Sequence, residues 1–410
     1  MTKFKKLLVI ALSMLLIFTM ACGKTETPDQ GKDTDNDKVV DEQDKDKENE
    51  TDETGKKELE EGEIVFWTLS LSPTFDDYIN GVISDFEDQN PGVKVKWQDL
   101  PYDQAEQQTL AAASAGNLAD VINLNTDFLK KLGALGALQN MDEAAADVKD
   151  KYFEGAWQAG TVNGTAYALP WYLSNGVLLY NTEILEKAGY DKAPTTEEEA
   201  WAMSKDIYEK TGAYGNTISL IHIDFPANGI PLVSEDGTKA TFNTPEALER
   251  IKFFKEKYDE GLVPDEIVLG QANMPEWYAQ EKLAWWGTGP QLFRQVKDLS
   301  PEVYEKSDAA PAILGSLGKS SMSAMNVAVS AKSKYPNAAV EFAKFITNDE
   351  NQLEFCKTVA ILPSTKEAAS DEFFTQGADS DDPAEKGKYF SALQLENAVD
   401  FFAPAENVSQ

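Results

Sequence analysis

From Glu63 onward short apolar runs alternate with amphipathic stretches, and this alternation constrains the fold more than any other feature of the chain. Ile64-Val65-Phe66-Trp67 reads as a short strand, 75–90 as an amphipathic helix stopped by Pro91, and Val93-Lys94-Val95-Lys96-Trp97 as a second strand. Residues 104–115 then read as a helix ended by Gly116, 120–124 as a third strand and 128–138 as a glycine-interrupted helical stretch. Repetition of strand, helix and strand predicts an α/β fold with a parallel sheet covered by helices on both faces. Ligands of such sheets sit at the carboxyl ends of the strands. That rule puts Trp67-Thr68-Leu69 and the stretch from Asn123 to Asp127 on one rim.

At 410 residues, 42% of them hydrophobic, the chain exceeds the size at which a single core keeps growing, so two lobes are expected. The start of the chain reads as targeting. Lys3, Lys5 and Lys6 precede an apolar run, Leu7 to Met20, that is too short to be a comfortable membrane span, so 1–21 is expected to be a removed signal peptide. Thr19-Met20-Ala21-Cys22-Gly23 resembles the lipobox of bacterial lipoproteins, with Thr19 in place of the usual leucine, and assigns lipidation to Cys22. The other cysteine, Cys356, then has no disulfide partner and reads as a small buried hydrophobe. Residues 22–61 follow as a disordered acidic tether, with sixteen acidic and six basic residues between positions 25 and 61. Asp33, Asp35, Asp37, Asp41 and Asp44 loosely imitate a calcium loop, but Lys38 stands where that loop needs glycine.

A net charge of −33 argues against a nucleic-acid partner, because phosphates need lysine and arginine to neutralise them. It also repels anionic ligands and tolerates neutral or cationic ones.

A series of segments keeps one order across 62–370. It includes Phe86-Glu87-Asp88-Gln89-Asn90-Pro91-Gly92-Val93-Lys94-Val95, Asn163-Gly164-Thr165-Ala166-Tyr167-Ala168-Leu169-Pro170 and Leu179-Tyr180-Asn181-Thr182-Glu183 running on to Gly189. Glu235-Asp236-Gly237 with Thr241-Phe242-Asn243-Thr244-Pro245-Glu246, Gly287-Thr288-Gly289-Pro290, Ala328-Val329-Ser330, Tyr335-Pro336-Asn337 and Ile361-Leu362-Pro363-Ser364 complete it. In these segments the chain resembles the extracellular solute-binding proteins of sugar ABC importers, the maltose-binding-protein class. The resemblance implies a two-lobe periplasmic-binding-protein-like fold with hinge strands and a central ligand cleft. By that analogy the first lobe takes 62–174 plus 326–362 and the second 177–322 plus 366–410. The crossovers fall near Asn175-Gly176, Met325 and Ser364.

Sugar capture asks for aromatic faces against pyranose C–H groups, and for Asp, Glu, Asn or Arg against hydroxyls. Trp67, Trp171, Tyr172 and the pair Trp285-Trp286 fall where cleft loops are expected, with core packing as the alternative for each. At strand spacing one ring of the pair points inward, and Trp286 is the one assigned to sugar. Trp97, Trp157, Trp201 and Trp277 read as core. Polar candidates from the same loops are Asn125, Asp127, His222, Asp224 and Arg294. Asp127 reads equally as a helix N-cap, His222 as an ordinary surface or core residue, and Arg294 as half of a salt bridge.

Enzymatic signatures are missing: there is no G-x-S-x-G, no H-E-x-x-H, one histidine and two cysteines. Gly318-Lys319-Ser320 imitates a phosphate loop, with Ile313 where its first glycine belongs. The expectation is a non-enzymatic receptor with no cofactor and no metal. It is monomeric, lipid-anchored on the extracytoplasmic face of the cell membrane, and delivers a neutral carbohydrate ligand to ABC permease subunits. The alternatives are a polyamine or cationic-peptide receptor, a secreted glycoside hydrolase with two carboxylates across a cleft, and an adhesin or chemosensory module.

Overall fold

Residues 58–215, 221–234, 239–359 and 361–401 are described by the computed structural model, and all belong to one unit, Glu50–Gln410. The expected signal peptide, Cys22 and the tether as far as residue 57 lie outside the described residues. At the tether's end, Glu60 accepts hydrogen bonds from the amides of Asn337 and Ala338 at 3.0 Å. Those amides open the helix Pro336–Ile346, where a carboxylate satisfies orphan N–H groups and complements the helix dipole.

Residues Gly62–Leu69 form the first strand, β1, with Ile64 and Phe66 fully buried. β2 (Val93–Leu100) and β3 (Val121–Asn125) flank β1 in parallel, Phe66 lying opposite both Trp97 and Val121. The intervening helix Asp76–Gln89 buries Ile79, Val82, Ile83 and Phe86, the spacing of three and four that puts side chains on one face. Phe86 and Phe66 both meet Phe342 edge-on, at 5.1 and 5.2 Å, which locks helix, sheet and the Pro336–Ile346 helix into one core.

Beyond a short hairpin, β4 (Thr161–Val162) and β5 (Thr165–Ala166), the chain forms β6 (Ala168–Asn175) and then β7 (Val177–Asn181). β8 (Tyr214–Gly215), β9 (Leu283–Thr288), β10 (Ser307–Pro311), β11 (Ser320–Val329), β12 (Leu362–Pro363) and β13 (Ala398–Val399) follow. One sheet has the order β12-β6-β11-β3-β1-β2, with β13 added to β11, and a second has the order β10-β7-β9-β8. The first sheet is mixed rather than wholly parallel. β11 runs antiparallel to both β3 and β6, because the chain re-enters this sheet from the second one instead of through a local crossover helix.

Gly176 alone separates β6 from β7, so the chain leaves one sheet for the other within a single residue. The return runs through 312–319, ahead of Met325, which lies within β11 opposite Asn125 and Tyr172. Ser364 is buried and donates to the Pro170 carbonyl at 2.6 Å. The helix Pro383–Leu393 packs on β7 and β10, after which β13 rejoins the first sheet. Side chains from this late segment hold the crossing. Asn175 donates to the Ser391 carbonyl at 2.9 Å and accepts from the Ser391 hydroxyl, while Gln394 donates to the Gly176 carbonyl and accepts from Ala312 N–H, both at 3.0 Å.

Candidate functional site

The carboxyl ends of β1, β2 and β3 form a rim organised by Asp99. Its carboxylate accepts from the Thr68 hydroxyl at 2.6 Å and from the Leu71 and Ser72 amides at 3.0 and 3.2 Å, fixing the loop that leaves β1. Asn125 accepts from Phe128 N–H at 2.8 Å and so caps the helix Thr126–Ala134, while its amide donates to the Tyr102 hydroxyl at 2.7 Å. The Tyr102 ring is 50% exposed and rests against Phe128 at 6.0 Å. Tyr172, on β6, is half-buried against Phe355 at 5.1 Å. Burial first, then Cys356, Tyr102 and Asp99, push its phenol above the ordinary range, so it stays a neutral donor.

Where the chain crosses between sheets, a cavity of about 540 Å³ opens. Its border carries Ser174, Asn175, Asp224, Asn228, Arg250, Thr288, Lys319, Ser321 and Ser323, with aliphatic side chains and Phe401 between them. Gly315 lets one wall close, since a Cβ there would sit 2.5 Å from the Ala227 carbonyl oxygen. Asn228 then accepts from Ser316 N–H at 3.0 Å, tying the returning 312–319 segment to the end of the helix Ile221–Ala227. Gln291 donates to the Ser174 hydroxyl at 3.0 Å and links β6 to the turn after β9.

Arg250 holds the charged corner. Its guanidinium forks onto Glu197 at 2.6 and 2.8 Å and onto Asp224, with Nε at 2.8 Å. Burial opposes its charge, but the two carboxylates more than offset this and raise its pKa further. Arg250, Asp224 and Glu197 all stand on the cavity border.

The structure brings few of the expected residues together. Asp224 borders the cavity, and His222 lies half-buried beside Ile223, which does as well. Asn125 and Tyr172 stand at the rim. Trp67 is half-buried and packs against the apolar cluster around Leu124 and Phe128. Asp127 pairs with Lys131 at 2.8 Å, and Asn125 rather than Asp127 caps the helix. Arg294 is 85% exposed and faces Asp298.

Two tryptophans that were expected at the cleft belong to cores in the structure. Trp171 is fully buried and stacks on Phe355 at 4.9 Å, because β6 is an interior strand covered on both faces. Trp286 is 7% exposed among Tyr278, Phe293 and Val296, and Trp285 is fully buried on the other face of β9. Helices cover both faces of that strand, so alternation sends neither ring to solvent.

Sequence reasoning missed Tyr102, Asn175, Arg250, Gln291 and Phe401. Arg250 had a signal, being one of only two arginines in the chain, the other being Arg294.

Comparison with known proteins adds a family. Residues 72–353 match the model of the family described as bacterial extracellular solute-binding protein. The diacetylchitobiose binding protein DasA of Streptomyces coelicolor is 25% identical over 341 residues, covering 78% of this chain and 77% of the relative. A Synechococcus sp. MITs9220 periplasmic-binding protein, provisionally described as binding oligosaccharide, superposes with a TM-score of 0.71 at 29% identity over 84% of this chain and 89% of the other. The sugar-binding protein MalE of Xanthomonas citri shares the fold, with a TM-score of 0.69 at 23% identity over 83% and 86% of the two chains.

Proposed function

Because the chain belongs to the bacterial extracellular solute-binding proteins, we propose that it captures a neutral sugar or oligosaccharide at the crossing between its two sheets and delivers it to an ABC permease. The observation that carries the reading is the chemistry of the 540 Å³ cavity, whose border interleaves serine, threonine and asparagine side chains and the Arg250–Asp224–Glu197 cluster with aliphatic ones. The polar groups donate and accept in pairs, as sugar hydroxyls require, and the charges on the border balance only when Lys319 joins Arg250 against Asp224 and Glu197. The relatives and structural neighbours that bind sugars support the same class.

In this reading the lobes are 62–174 with 326–362 and 177–322 with the helix Pro383–Leu393, while Phe374 and β13, expected in the second lobe, pack with the first sheet, and the two close about the crossing by hinge rotation. Asn125, Tyr172, His222 and Asp224 contribute from the two sides, joined by Tyr102, Asn175 and Arg250. The family and its neighbours are binding proteins, and the reading assigns no catalytic step. A lipid on Cys22 and the acidic tether would hold the body, as a monomer, on the extracytoplasmic face. Among the described residues no helix is long and apolar enough to cross a membrane.

A thermal-shift and calorimetric screen over oligosaccharides, polyamines and cationic peptides tests the proposal. A ligand at a hundred times its dissociation constant stabilises the folded form by about 2.7 kcal/mol. Saccharide binding with salt-independent affinity is the expected result. Salt-sensitive binding of polyamines alone would replace it with the cationic-ligand reading, and cleavage of the saccharides would replace it with a hydrolase.

A further inference from the structure

One wall of the cavity comes from a part of the chain that the family match does not reach. The match ends at residue 353, whereas Phe401 stands on the cavity border. The fold fixes how it gets there. Ala398 and Val399 pair in parallel with Ser320 and Ser321, which border the same cavity. Gly155 packs against the Ala398 carbonyl with no room for a Cβ, so β13 is held from behind as well. Just upstream, Gln394 is bonded to both crossing strands. Phe401 therefore stands two residues after a pinned strand.

The chemistry of the border gives this ring a task. A pyranose offers an apolar C–H face as well as hydroxyls, and the aliphatic side chains on the border, Ile223, Ile313 and Leu314 among them, give that face contact but no flat ring to stack on. Trp171 and Trp286 are sealed in cores, and among the described residues Phe401 is the aromatic ring on the border. We propose that Phe401 is part of the ligand site and supplies the aromatic platform against which the apolar face of a neutral sugar ring packs. The inference rests on the sugar-binding reading above and assigns that site a residue outside the family's matched region.

Calorimetry on the full chain with diacetylchitobiose, an arabinooligosaccharide and maltotetraose as probes tests it through Phe401→Ala, Phe401→Leu and Phe401→Trp. For whichever probe the unaltered chain binds, Phe401→Ala and Phe401→Leu should each weaken affinity by about tenfold or more, as loss of a buried aromatic anchor does. Phe401→Trp should retain binding, and its added emission should shift when sugar is supplied. The unliganded melting temperature should hold in all three variants. Unchanged affinity in Phe401→Ala removes Phe401 from the site. Leucine binding as well as phenylalanine removes the ring-stacking role, and a tryptophan whose emission ignores saturating sugar overturns the placement. Failure of the unaltered chain to bind any saccharide is a different result: it overturns the sugar-binding reading and takes this inference with it.

Discussion

The Trp171 ring lies nearly flat on Phe355 and tilted to Phe66 at 6.4 Å, and it is fully buried, so none of it is open to a ligand. Trp171→Ala should therefore cost about 3–5 kcal/mol of stability, as aromatic deletions in a core do. Affinity measured below the variant's melting point should remain that of the parent, and a loss of affinity with little change in melting would return this ring to the cleft. Arg250 is held differently, by opposite charge on two sides. Asp224 is 5% exposed, and with the guanidinium gone it would face Glu197 as an uncompensated buried carboxylate. Arg250→Met should destabilise the fold by on the order of 3 kcal/mol in urea titration. Arg250→Lys should recover little of it, since an ammonium cannot fork onto two carboxylates. Full stability in Arg250→Met would show that the cluster is not structural.

At the scale of elements, Gln394 ties the departing strand to the returning one, through the Gly176 carbonyl and the Ala312 amide. Gln394→Ala removes both bonds. The Ala312 N–H should then exchange faster with solvent, and stability should fall by about 1–2 kcal/mol. Unchanged protection at Ala312 would mean that the crossing is held elsewhere. The elements with a period were the ones legible in the sequence. The strands around Ile64 and Val121 were read from short apolar runs, the strand at Val93 from alternation and the helix Asp76–Gln89 from its amphipathic spacing. The helix read from Gln104 starts at Tyr102 instead, with Pro101 at its N-cap. At β9 the period was read correctly and its meaning was not: two-fold alternation separates the faces of a strand but does not say whether both are covered. Two-residue β13 has no period, and its partner lies far upstream, so the route of Phe401 into the cavity could not be inferred from local pattern. For the site, Asn125 was proposed from the end of the strand at 120–124, and Asp224 from the resemblance of 221–226 to a cleft segment of the family rather than from any local period. Arg250 was overlooked because it lies in the helix Pro245–Asp259, away from every expected loop.

At the scale of the whole molecule, two sheets joined at a narrow crossing allow rotation about it, and a ligand that touches both sides biases the closed population. Small-angle scattering should report a smaller radius of gyration with saturating sugar, and an identical profile would argue against closure. The anchoring proposal is tested on cells: Cys22→Ala should release the mature body into the medium, and continued retention at the membrane would exclude the lipid as its attachment. The crossing has a further consequence. Val177, the first residue beyond Gly176, pairs with Pro311, the last residue before the chain turns back. The stretch between them therefore begins and ends side by side, about 5 Å apart as cross-strand partners are. Topologically it is an insertion with adjoining ends, against which the later helix Pro383–Leu393 is laid from outside. Ends that adjoin let the stretch between them lengthen or shorten without moving either point of entry, provided that the face of β7 and β10 that receives Pro383–Leu393 is kept.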